Sequence, residues 1–192
     1  MHPAAWLVPR SVALRAGPWD ERLSLNDDGE YFTRVLLQSS GVKFCWGART
    51  YYRSGNSGSL SASQSRGAWE SALLSFQLSA SSLLAAETSE RTRYACASVF
   101  QRYSYEAFPQ QPDLAHVAET RARELGGSDV APSGGPVFHL LSRVLGWKRA
   151  SRMRHRAYRV GYQRAAIGWR AGRVLKRWRR PTGGLVQPTS RT

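Results

Sequence analysis

Trp19-Asp20-Glu21-Arg22-Leu23-Ser24-Leu25-Asn26-Asp27-Asp28-Gly29-Glu30-Tyr31-Phe32 decides how the chain is read. An aromatic and acidic turn runs there into two adjacent carboxylates at a helix start. Asn26 suits the N-cap position, and Asp27 and Asp28 fall in the first turn, where the positive end of the macrodipole favours acids. Phe32, Val35 and Leu36 then recur at helical spacing and form one apolar face. Asp28, four residues before Phe32, projects from the edge of that face, whereas Asp27 leans toward Tyr31 and Arg34. Glu30 and Arg34 are spaced to pair at i,i+4 as ordinary surface support. Spacing alone leaves two readings of the aspartates open: helix caps, or carboxylates aimed into a cleft.

Composition bounds what surrounds this run. The chain has 192 residues, enough for one modest core and a helical appendage. Its 28 Lys plus Arg stand against 13 Asp plus Glu, but the excess is local. Residues 1–129 hold 13 of each, so residues 130–192 hold 28 − 13 = 15 basic residues and no acid. The tail therefore carries the whole net charge of +15 and calls for an anionic partner. Cys45 and Cys96 show neither metal spacing nor CxxC, and each reads as a reduced, buried thiol. No apolar run is long enough to span a bilayer and no signal-peptide core follows Met1, so a cytoplasmic location is expected.

Outward from the aspartates the pattern changes twice. Before them, Trp6-Leu7-Val8 reads as a short buried strand, and Pro9-Arg10 opens a helix that ends at Gly17-Pro18. After them, Val42-Lys43-Phe44-Cys45-Trp46 and Thr50-Tyr51-Tyr52-Arg53 read as strands, and residues 54–65 as a Gly/Ser/Asn loop. Residues 67–125 read as helices. Trp69, Leu73, Phe76 and Leu83-Leu84 mark the first, and Tyr94, Val99, Tyr103 and Tyr105 a second, stopped by Pro109. Asp113 caps a third, ending at Gly126-Gly127. A basic helix or pair of helices is predicted from Phe138 to Arg180. The predicted divisions are 1–65, 66–129 and 130–192.

Ala5-Trp6-Leu7-Val8-Pro9-Arg10, Gly17-Pro18-Trp19-Asp20-Glu21, Leu25 to Phe32, Tyr51-Tyr52-Arg53 and Ser59-Leu60-Ser61 occur in an order that resembles the C-terminal part of a family 2 glycosyltransferase with a GT-A fold. Leu125-Gly126-Gly127-Ser128-Asp129 and Gly146-Trp147-Lys148 look like the helical tail of one bacterial branch. The resemblance covers roughly residues 2–155. It implies an α/β fold: the C-terminal half of a GT-A sheet domain followed by a mainly α-helical extension.

The resemblance also implies roles. Asp27-Asp28 match the family's acidic pair, with Asp28 as general base in an inverting transfer from a nucleotide-sugar donor to a saccharide or lipid-linked acceptor. Asp27 would orient Asp28 or hold acceptor hydroxyls. Trp19 would offer a platform for a sugar face, or be a core tryptophan; Asp20 joins it as a substrate-side residue. Tyr52 and Arg53 fall near the donor diphosphate, Arg53 as a phosphate clamp or an exposed strand-end arginine. A divalent cation, Mg or Mn, is expected in the complete enzyme, but its Asp-x-Asp ligands do not occur in this chain. The processive Gln-x-x-Arg-Trp signature does not occur either. The expectation is a truncated reading frame, a mis-assigned start or one piece of a split enzyme, with little activity alone.

The tail admits other readings. Lys148, Arg149, Arg152, Arg156, Arg159, Arg170, Arg173, Lys176 and Arg177 alternate with Trp147, Tyr158, Tyr162, Trp169 and Trp178. Residues 143–180 suit a helix lying on an anionic membrane, or a solvated basic helix packing its aromatics upstream. The rival class is a non-catalytic basic protein that binds membrane or nucleic acid. Nucleic acid is not the expected partner, because no finger, homeodomain or RNA-recognition signature is present. A non-catalytic partner completing another protein's donor half is the third possibility.

Overall fold

The computed structural model describes residues 3–51, 63–158 and 161. Among these, 66 % are helical and none forms a strand. This overturns the expected α/β, GT-A-like sheet domain. The residues read as strands have the right side chains but no ladder partner among the described residues, and a strand without one leaves its backbone groups to water. Trp6 and Val8 instead pack as single side chains against a small cluster of Ala16, Phe32 and Val35. Val42 to Trp46 run irregularly and end in a turn, while Tyr52 and Arg53 lie outside the described residues.

The described residues divide into two compact units between Gly135 and Pro136. In the first, a 3-10 turn at Pro3–Ala5 precedes α1 (Arg10–Ala16) and α2 (Asp27–Leu37). Gly17 ends α1 in the left-handed region, at φ 79°, and its N–H bonds the Ala13 carbonyl at 3.2 Å. Then come α3 (Arg66–Ala86), α4 (Glu90–Ala107) and α5 (Pro112–Glu124). Ser65 and Ser89 cap α3 and α4 by accepting from Ala68 N and Thr92 N, each at 3.2 Å. Asp113 is not the cap expected of it. It stands in the first turn of α5 and pairs with Arg66 at 2.6 Å, tying the starts of α3 and α5 together.

The packing surface of α4 also differs from the aromatic stripe expected. Tyr94 and Val99 are exposed, while Cys96, Ala97, Phe100, Tyr103 and Ala107 are buried. Ala115, Ala118 and Ala122 of α5 are buried as well. Small side chains let the two helices approach closely along one antiparallel seam. Cys96 is a buried thiol as expected, but Cys45 is exposed, because no sheet covers the segment that carries it.

The second unit holds α6 (Pro136–Leu145) and α7 (Trp147–Ala157). They pack through Phe138, Ala150 and Ser151, with the Arg154 guanidinium 4.2 Å from the centre of the Phe138 ring. No helix among the described residues is long and apolar enough to cross a membrane.

Candidate functional site

The approach to the aspartates is fixed by two serines that the sequence reading passed over. The Ser71 hydroxyl accepts from the backbone N–H groups of Ser24 (2.8 Å) and Leu25 (2.9 Å) and donates to the Leu25 carbonyl at 3.1 Å. One turn further along α3, the Ser75 hydroxyl donates to the Asn26 carbonyl at 2.7 Å and accepts from Asn26 Nδ2 at 2.8 Å. Both serines are buried. Buried polar groups of this kind are stable only when satisfied, so the pairing fixes residues 24–26 in one place.

Asn26 accordingly does not cap in the expected way. It adopts the left-handed conformation (φ 61°, ψ 25°), and its side chain turns to α3 instead of bonding an N–H of α2. Short Asn side chains tolerate this region better than most. Gly29 allows it: a Cβ there would stand 2.7 Å from Asn26 Oδ1.

Asp27 and Asp28 then open α2 half-buried. Asp28 Oδ1 accepts from Gly29 N at 2.8 Å, one of the orphan donors of the first turn. Asp28 thus takes on part of the cap that Asn26 gives up, and stays accessible to solvent.

A second strap orients what lies beside them. Arg34 grips Glu30 with two bonds, Nε to Oε1 at 2.7 Å and a terminal nitrogen to Oε2 at 2.9 Å. It also donates to the carbonyls of Ala16 and Pro18. The Glu30–Arg34 pair is therefore no surface support: Glu30 is buried, and Arg34 draws the Gly17-Pro18 turn onto α2. The hydrogen bond to Glu30 raises the Arg34 pKa above its ordinary value. Trp19 follows that turn and stacks on Tyr31, with centroids 4.3 Å apart and planes 10° from parallel. Tyr31 lies one helical turn from Asp27 and Asp28, which brings a half-open aromatic face onto the carboxylate side of α2.

Asp20 is anchored otherwise. It accepts from Arg22 Nε at 2.9 Å and Arg22 N at 3.0 Å, and these bonds lower its pKa to about 2. Its carboxylate is spent on its own turn. Tyr52 and Arg53 lie outside the described residues; of the rest of the predicted set, Trp19 stacks on Tyr31 of the helix that Asp27 and Asp28 open, and Asp20 pairs with Arg22.

On another face of α2, a cavity of about 280 Å³ lies among Asn26, Gly29 and Thr33, Phe76 and Leu83 of α3, and Cys96 and Phe100 of α4. Neither aspartate lines it. Burial raises the Cys96 pKa and keeps its thiol neutral. Among the described residues no group of three or more His, Cys, Asp or Glu could hold a metal ion. Comparison with protein-family models, with curated proteins and with solved structures found no match.

Proposed function

We propose that the chain supplies the acceptor-activating carboxylate of an inverting glycosyltransferase, of the hexosyl-transferring kind that builds bacterial envelope polysaccharide. The donor is a nucleotide-sugar and the acceptor a saccharide or lipid-linked sugar. One observation supports this reading above the others: Asp28 is held half-open at a helix start that Ser71 and Ser75 pin in place, beside the Trp19–Tyr31 stack.

In this reading Asp28 takes the proton of an acceptor hydroxyl while that oxygen attacks the anomeric carbon. The bond from that carbon to the donor diphosphate breaks, the diphosphate leaves with the electron pair, and the configuration inverts in one displacement. Asp27 holds neighbouring acceptor hydroxyls, and Trp19 presents a flat apolar surface to a sugar face. Asp20 keeps the turn that carries Trp19 in shape. The location we assign is the inner face of the cytoplasmic membrane, where the basic second unit meets anionic lipid and a lipid-linked acceptor is at hand. The non-catalytic alternative, a basic membrane- or nucleic-acid-binding protein, accounts for the second unit and leaves the aspartates as helix-start residues alone.

The test is sugar transfer from a panel of nucleotide-sugars in membranes of the source cells, with wild-type chain against Asp28→Asn. Turnover should fall at least about a hundredfold, as loss of a general base does, with donor binding nearly unchanged. Near-normal turnover in the variant removes Asp28 from the role.

A further inference from the structure

The proposed chemistry leaves α6 unused, and α6 is unusual among the described helices. Val137, Leu140 and Val144 recur at i, i+3 and i+7 and are 71 %, 64 % and 73 % exposed. They form one aliphatic stripe beside the Phe138 face that packs on α7. A soluble helix ordinarily turns such a stripe inward, and a contiguous exposed one marks an interaction surface.

What covers it is decided by charge. Residues 130–192 contain 15 basic residues and no acid, and Arg149, Arg152 and Arg156 are exposed along α7. A second copy of the chain on the stripe would bring two wholly basic units together, at an electrostatic penalty. Nucleic acid would satisfy the cations but has no use for three aliphatic side chains, since single strands are held by aromatic stacking. An anionic lipid surface satisfies both: headgroup phosphates for the guanidinium groups, and the acyl boundary for valine and leucine. At 10 residues α6 is about 15 Å long, too short to span the hydrocarbon core and suited to lie in its surface.

We infer that α6 is an interfacial insertion helix: Val137, Leu140 and Val144 enter the acyl boundary of an anionic bilayer while the cations of the same unit hold the headgroups. The inference rests on the membrane-face part of the proposed function and not on the role of Asp28.

Co-sedimentation of the full chain with vesicles tests it, using phosphatidylcholine alone or mixed equally with phosphatidylglycerol. The wild-type chain should bind the mixed vesicles and stay partly bound in high salt, because an inserted aliphatic face is not screened. The combined change Val137→Ser, Leu140→Ser and Val144→Ser keeps every charge and touches only exposed positions. It should weaken binding at least about tenfold and make the remainder fully salt-sensitive. Leu140→Ser alone should move the same way by a smaller factor. Vesicle binding equal to wild type in the triple variant overturns the inference, because the basic charge then suffices. Equal binding of the wild type to uncharged vesicles overturns it too, as does retention on RNA without retention on vesicles. Asp28→Asn leaves vesicle binding unchanged if the inference holds, so transfer and insertion can fail separately.

Discussion

The α4–α5 hairpin and the segment at residues 41–51 have similar apolar content and opposite fates. In the hairpin, Ala97, Ala107, Ala115, Ala118 and Ala122 are almost wholly buried, and the helices close on each other. In the segment, Phe44 is 77 % and Trp46 91 % exposed, touching each other edge-on at 5.0 Å and little else. A helix satisfies its backbone internally, so two neighbours in sequence need only matching faces to make a core. A segment of β-branched and aromatic residues completes nothing until another strand is laid beside it. The contrast therefore separates helices that bury their apolar faces on one another from a segment that leaves its own exposed.

The largest expected effect lies on the helical side of that contrast. Tyr103 is buried on α4, donates to the Trp69 carbonyl of α3 at 2.8 Å, and has its pKa raised by burial to about 12. The unfolded chain ionises this phenol near its ordinary value of 10.0, while the folded chain resists until about 12. Its contribution is therefore fully present below pH 10 and fades as pH rises toward 12. Up to about 3 kcal/mol disappears across that window. Urea unfolding measured through helicity should show this alkaline slope in the wild type. Tyr103→Phe should flatten it, and a slope unchanged in the variant would assign the loss to other groups.

A smaller effect is expected where the two regimes meet. Ser75→Ala nearly keeps the volume of α3 but removes the one hydroxyl that makes both bonds to Asn26, and should cost about 2 kcal/mol. The loss should be confined to the start of α2: hydrogen exchange of the Asp28 to Tyr31 amides should speed up while α4 and α5 keep their protection. Uniform loss of protection would mean that the serine supports the whole unit and not one helix start.

What could be read in the sequence follows the same division. The start and stop of α1 were legible because Pro9, Gly17 and Pro18 act on their own backbone. The start of α2 was legible for a like reason, from acids in its first turn. Asn26 stands at the N-cap position as read, but its side chain makes no capping bond because its partner, Ser75, lies 49 residues away. No local spacing reports that distance. Two serines at i,i+4 on an otherwise apolar stretch of α3 were the available signal for a polar clamp. The burial of Glu30 was hidden for a similar reason. Arg34 reaches back to carbonyls 16 and 18 residues earlier, and the i,i+4 pattern records only the pair. The strand readings of residues 6–8 and 42–46 followed side-chain preference and were wrong, because neither segment has a ladder partner among the described residues.

The smallest expected effect is the sharpest test of this division. Phe44 is nearly as accessible as an unfolded residue would be, so truncating it removes little buried area. Phe44→Ser should change the stability of the isolated chain by less than about 0.5 kcal/mol, as surface substitutions do. A loss near the 3–5 kcal/mol typical of a core phenylalanine would show the segment packed on this chain after all. The same substitution becomes informative in the cell. If residues 41–51 meet a second surface there, Phe44→Ser should lower the chain's abundance while leaving the purified chain's unfolding midpoint where it was. That pairing of a silent effect in isolation with a visible one in place is what a surface awaiting a partner predicts, and a solvent-exposed loop predicts silence in both.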